Sequence, residues 1–198
     1  MKRRGDKSRS FSGVLLAFYS LIALALLACL IVIFGKIKVE EPISASTVAF
    51  EIGFSPKGRS LNIILEGIDR AEKSILVAAY TFTSEPISTA LLKAHKRGVT
   101  VQVVADAKSN TGKYSAVTFL ANQGVPVRVN SRYTIFHHKF MVFDDRHVET
   151  GSFNYSAAAV NRNAENVLLL LNVPEIAQKY RQEWQRLWNE SQAVKPNY

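Results

Sequence analysis

The sequence predicts an α/β fold: a mixed, largely parallel β-sheet sandwiched between helices, preceded by an N-terminal transmembrane helix. Three observations carry that expectation. A chain of 198 residues with 47% apolar content can bury one full core. Helical and strand patterns alternate from Leu61 to Val129, the grammar of helices laid on a parallel sheet. An uncharged apolar stretch of 21 residues, 14–34, stands apart from both.

The elements follow in order. At 1.5 Å per residue the 14–34 stretch is long enough to cross a hydrocarbon core of roughly 30 Å, and it has no polar face of the kind a helix at a protein core shows. Lys2, Arg3, Arg4, Lys7 and Arg9 precede it and should stay in the cytoplasm, which sends everything after Lys38 to the other side. The chain then divides into a basic cytoplasmic N-terminus (1–12), an anchor or signal segment (13–36), a linker around Pro42 (37–46) and a folded domain (47–198). An uncleaved anchor is the favoured reading. A cleavable signal peptide is the alternative, although small-residue sites such as Ser44-Ala45-Ser46 lie far downstream. The string ending at Cys29 resembles a lipoprotein processing site, but apolar sequence continues beyond it. The implied location is the cell envelope of a bacterial host, with the folded domain on the periplasmic side or exported to the periplasm.

Within the domain, Leu61, Ile64, Leu65 and Ile68 recur at helical spacing and feed an apolar strand from Ile75 to Tyr80. Ile87, Ala90, Leu91 and Ala94 mark the next helix, Gly98 its left-handed cap, and Val99 to Val104 the next strand. Val117, Leu120 and Ala121 repeat the pattern, with Gly124 as cap and Val125 to Val129 as strand. After Arg132 two strands, Phe140 to Phe143 and Val148 to Thr150, join at a turn over Asp144-Asp145-Arg146. A polar helix and a strand from Val167 to Leu171 follow. Ile176, Tyr180, Trp184, Leu187 and Trp188 then form one helical stripe beginning beside Pro174. The tryptophans on that stripe read as core packing, not as a base-stacking platform.

The net charge of +9 includes a surplus of +5 from position 36 onward, compatible with a polyanionic partner and undiagnostic alone. Cys29 is the sole cysteine, which excludes an intrachain disulfide or a thiolate metal cluster from the folded domain.

The segment His137 to Asn154, HHKFMVFDDRHVETGSFN, holds the chemistry. His137 and Lys139 are two apart on a predicted strand, so a nucleophilic base and a cation leave the same face while His138 points away. Asp144 is an odd number of positions from Lys139 and should hold structure instead of touching substrate. Gly151, Ser152 and Asn154 follow the next strand, where a hydroxyl, a carboxamide and free N–H groups can converge on an anion. Adjacent strand histidines diverge and no H-E-x-x-H occurs, so a metal site from His137, His138, Asp144 and Asp145 is disfavoured.

These residues resemble the H-x-K-x4-D-x6-G-S-x-N motif of the phospholipase D superfamily, and most closely its small bacterial endonuclease branch, whose members carry one motif and an export segment. Phe54-Ser55-Pro56, Tyr80-Thr81-Phe82-Thr83 and Asn110-Thr111-Gly112 are similar to that branch as well. The resemblance implies metal-independent, cofactor-free hydrolysis of a phosphodiester through a phosphohistidine on His137. Lys139 and Asn154 would stabilise the transition-state oxygens, Ser152 would orient the loop or the phosphate, and Glu165 would hydrogen-bond the catalytic imidazole. Family members with two motifs supply two histidines. Of His95, His137, His138 and His147 here, only His137 begins an H-x-K, so the second must come from another copy in a homodimer with one shared pocket. The expected substrate is DNA or RNA, cut with little sequence preference. The alternatives are phospholipid cleavage, favoured by a membrane tether at 14–34, and non-catalytic nucleic-acid binding in DNA uptake or transfer.

Overall fold

A computed structural model describes Tyr19 and residues 22–26, 47–112 and 115–197. The chain divides into two compact units, Met1–Ala45 and Ser46–Tyr198. Tyr19 and residues 22–26 are helical, while the rest of the expected span at 14–34, its flanks and the 37–46 linker lie outside the described residues. Among the described residues no helix is long and apolar enough to cross a membrane.

The second unit is an eight-stranded sheet with helices on both faces. Its elements are β1 (Ala49–Ser55), α1 (Ser60–Arg70), β2 (Ser74–Ala79), α2 (Glu85–Lys96), β3 (Thr100–Asp106), α3 (Ala116–Asn122) and β4 (Val127–Asn130). Then come β5 (Lys139–Phe143), β6 (His147–Gly151), α4 (Ala157–Asn161), β7 (Glu165–Leu171), α5 (Pro174–Asn189) and β8 (Gln192–Ala193). The strand order is β1-β7-β6-β5-β2-β3-β4-β8.

The sheet is mixed, as expected, but the largely parallel character is corrected. Only β2–β3 and β3–β4 pair in parallel; the other five pairings are antiparallel. The reason lies in the connections. A parallel pair needs a crossover of about a dozen residues, and α2 and α3 supply two. The β5–β6 link is a tight turn with Asp144 and Asp145 at φ 54 and 55, which forces antiparallel return. Strand β1, at the start of the folded domain and given no element by the sequence reading, alternates Phe50, Ile52 and Phe54 with Glu51, Gly53 and Ser55 and pairs with β7.

Helices α1, α2 and α3 cover one face, with Ile63, Ile64, Ile68, Leu91 and Leu120 buried against Val77, Val103 and Met141. Gly98 and Gly124 have φ of +95 and +84, the left-handed caps read from the sequence. On the other face α5 lays Ala177, Trp184 and Leu187 over Leu76, Val104, Phe140 and Val142. Trp184 is 1% exposed and its indole N–H donates to the Val77 carbonyl at 2.9 Å, a core role. Helix α5 stops short of β7 and β1. Phe50, Ile52 and Phe54 are therefore more than half exposed, opposite half-buried Leu170 and Leu168 and exposed Asn166 on the same face.

Candidate active site

The C-terminal ends of β2 and β6 and the N-terminal ends of β5 and β7 meet at one end of the sheet, since β2–β5 and β6–β7 run antiparallel. Lys139 opens β5 opposite Ala79, and His137 lies in the extended segment just before it. Both contact Tyr80: the His137 ring centroid is 4.7 Å from the tyrosine ring, and the Lys139 ammonium sits 5.1 Å over it. His138 goes the other way, edge-on between Phe136 and Phe140 and 3.8 Å from Glu183 of α5. Alternation along an extended segment is enough to separate the two imidazoles.

Lys139 is 7% exposed, and its ammonium donates to the His137 carbonyl at 3.0 Å. Burial lowers its pKa, while the Glu165 charge works in the opposite direction. His137 is exposed beside it. Burial also depresses the pKa of His138, an effect that Glu183 opposes.

The loop after β6 is shaped by close approach. A Cβ on Gly151 would fall 2.2 Å from the Asn166 carbonyl oxygen, so no other residue fits there without moving the backbone. Ser152 Oγ donates to Glu165 Oε2 at 2.6 Å and accepts from the Asn166 N–H at 3.1 Å. Glu165 also accepts from Asn163 Nδ2 at 3.0 Å. Among the described residues the hydrogen bonds to the Glu165 carboxylate come from Ser152 and Asn163. Asn154 Oδ1 is buried and has no hydrogen-bond partner among the described residues. Helix α4, which follows, has only five residues, so the polar side chains before it, and not its dipole, give the loop its character.

Asp144 lies at the far end of β5 from the pocket. Its carboxylate accepts the N–H groups of Glu72, Lys73 and Ser74 at 3.0, 2.7 and 2.9 Å. Burial alone would raise its pKa; those backbone donors and the nearby His147 instead hold it below the usual range. It ties the β5–β6 turn to the start of β2.

Sequence reasoning missed the wall opposite the motif. A cavity of about 410 Å³ is lined by His137, His138, Lys139, Thr150, Lys179 and Glu183, with Phe140, Gly151 and Tyr180 completing it. Lys179, Tyr180 and Glu183 all come from α5, which read only as a core stripe. The support beneath the site was missed too. Asp106 accepts from the N–H of Phe136, next to His137, at 2.9 Å and from that of Ser109 at 2.7 Å. Asn110 Nδ2 donates to the Tyr80 carbonyl at 2.6 Å. Among the described residues no group of three or more His, Cys, Asp or Glu side chains is arranged to hold a metal ion.

The fold and this arrangement define a phospholipase D superfamily domain. The family model described as "Cardiolipin synthase, PLD-like domain" matches residues 64–188, and the chain belongs to that family. It is 38% identical over 131 residues to a protein of Rickettsia felis named phospholipase D, a match covering 66% of this chain and 65% of that one. A mitochondrial cardiolipin hydrolase of Xenopus tropicalis is 36% identical over 121 residues, covering 61% and 57%. Within the superfamily the chain falls in the single-motif Nuc-like branch. The crystal structure of the phospholipase D family member Nuc from Salmonella typhimurium superposes with a TM-score of 0.74 at 39% identity, over 75% of this chain and 99% of that one.

Proposed function

We propose that this chain is a metal-independent phosphodiesterase whose natural substrate is nucleic acid. The observation that carries the reading is the exposed His137 imidazole beside the half-desolvated Lys139 ammonium, at the mouth of a cavity with a second cation, Lys179. An imidazole nitrogen attacks phosphorus, the P–O bond to the leaving group breaks, and a phosphohistidine forms. Lys139 and the Asn154 carboxamide stabilise the extra negative oxygen, and Ser152, fixed by Glu165, orients the loop that holds the phosphate. Water then attacks phosphorus, the P–N bond breaks, and His137 is released. Phosphate recognition by these groups reads no base, which supports action with little sequence preference.

The leaving oxygen needs a proton in the first step, and we assign that proton to the partner's His137 in a C2 homodimer. Support comes from the single H-x-K histidine in the sequence and from the uncovered apolar face of β1 and β7. That face adjoins the cavity, since Leu168 pairs with Thr150. The basic residues before 14–34 support anchorage in, or export across, the inner membrane with this domain outside the cytoplasm.

A second reading, phospholipid cleavage, is favoured by the names of the relatives and by the apolar 14–34 stretch. Assay with plasmid DNA, RNA and phospholipid vesicles in chelator separates the two. Nucleic-acid cleavage that persists in chelator and is lost in His137→Ala supports the first; lipid cleavage without nuclease activity overturns it. Mixing His137→Ala chains with wild type tests the dimer, because full activity per wild-type chain is incompatible with a shared pocket.

A further inference from the structure

Beneath the loop that carries Ser152 and Asn154 lies a sealed polar pair the mechanism above does not use. Glu149 stands on β6 two residues before Gly151, opposite Met141 of β5 and Leu169 of β7. It is 1% exposed, and Tyr155 is 0% exposed. Tyr155 Oη donates to Glu149 Oε2 at 2.7 Å, while Glu149 Oε1 is buried without a partner among the described residues.

Tyr155 is held at two further points. Its carbonyl accepts the N–H groups of Thr83 and Ser84, both at 2.8 Å, and its ring meets Phe82 edge-on at 5.7 Å. Ser84 in turn caps α2, and the Phe82 N–H donates to Asn110 Oδ1 at 2.9 Å. Because Tyr155 directly follows Asn154, a fixed tyrosine leaves the preceding carboxamide few places to go.

We propose that Glu149 is a positioning residue: through Tyr155 Oη it fixes the loop from Gly151 to Tyr155 and so sets where Ser152 and Asn154 meet the phosphate. The inference deepens the diesterase reading and rests on it for its catalytic consequence. The donor set fits an uncharged acid. A buried carboxylate needs donors on both oxygens, and Glu149 has one, from a neutral hydroxyl. The cross-strand neighbours Met141 and Leu169 carry no charge, and Tyr155 is the one titratable group that acts on Glu149; burial raises the Glu149 pKa to about 8. Below that pH the pair is a closed lock. Above it an uncompensated charge sits under the loop, and the lock loosens.

The test uses the full-length chain, a chromogenic bis-aryl phosphate diester, and amide hydrogen exchange over residues 151–156. Tyr155→Phe keeps the ring packing and removes one hydroxyl. It should lower kcat by roughly tenfold with KM held within about twofold, the mark of a displaced transition-state contact. It should also speed exchange in the loop. Glu149→Leu should do the same. Glu149→Gln still offers Tyr155 an acceptor, so it should retain most of kcat and lack the activity loss near pH 8 expected of the wild type. Wild-type kcat and exchange in Tyr155→Phe, or a Glu149→Gln as impaired as Glu149→Leu, overturns the proposal. If the wild type cleaves no diester, the diesterase reading falls alone, and the exchange rates of Tyr155→Phe still decide the lock.

Discussion

The two ends of strand β5 treat their polar groups in opposite ways. At the Asp144 end each carboxylate oxygen is met by backbone N–H groups, and the acid stays charged. At the Lys139 end groups are left over: His137 is exposed, and Asn154 Oδ1 and Glu149 Oε1 are buried without partners among the described residues. One end of the motif spends its hydrogen bonds on holding strands together; the other leaves polar groups over, as the proposed phosphate site requires. Five residues separate charged Asp144 from Glu149, held neutral at pH 7, and the number of donors decides which is which.

Substitutions at the two ends should therefore separate activity from stability. The largest effect is expected for His137→Ala, which removes the attacking nitrogen and should lower kcat on a small diester by roughly four orders of magnitude with an unchanged melting temperature. Lys139→Ala should follow at about a hundredfold to a thousandfold in kcat, measured on the same substrate. A comparable melting-temperature drop in either variant would erase the contrast between the two ends.

The next effect is a pH dependence. Glu149 has a folded pKa of about 8 against an ordinary value of 4.5, so the native state holds a proton that the unfolded chain has lost. Stability contributed below the unfolded value is then lost as pH rises toward about 8. Urea unfolding across that window should show wild type losing a few kcal/mol more than Glu149→Gln, with 1.4 kcal/mol per unit as the upper slope. The smallest effect belongs to Asp144→Asn, a loss of about 1–2 kcal/mol, discounted because Glu72 and Lys73 are exposed. Its sign is opposite. Asp144 has a lowered folded pKa, so its contribution is full above the unfolded value and fades as pH falls through the folded one. The two variants should therefore converge with wild type at acid pH, and Glu149→Gln should diverge from it at alkaline pH.

Much of this contrast was legible from residue spacing. The even separation of His137 and Lys139 anticipated their common contact with Tyr80. Asp144 is absent from the pocket because it follows the opposite end of β5, whereas His138 and Phe140, at odd separation from Lys139, line it. Gly98 and Gly124 marked helix ends because only a residue without a Cβ takes that backbone cheaply. Strand β1 was missed although its alternation is plain, since apolar residues facing outward on an edge strand look like any short irregular run. The parallel bias was misread because alternation of helix and strand fixes element types and leaves neighbour relations open. Spacing alone did not reveal that Ser152 and Asn163 donate to Glu165, since a separation in sequence says nothing about which polar group lies nearest.

By itself the sequence determined the reactive groups, the local faces they occupy and the points where the chain turns, because those follow from backbone periodicity over a few residues. Tertiary structure alone decided that α5 brings Lys179 and Glu183 to the cavity that His137 and His138 line, that Asp106 steadies Phe136 from 30 residues away, and that Glu149 is sealed with Tyr155. Those contacts depend on how strands order themselves in a sheet and on how much water the packing excludes. Both are properties of the whole folded core, which no short stretch of chain encodes.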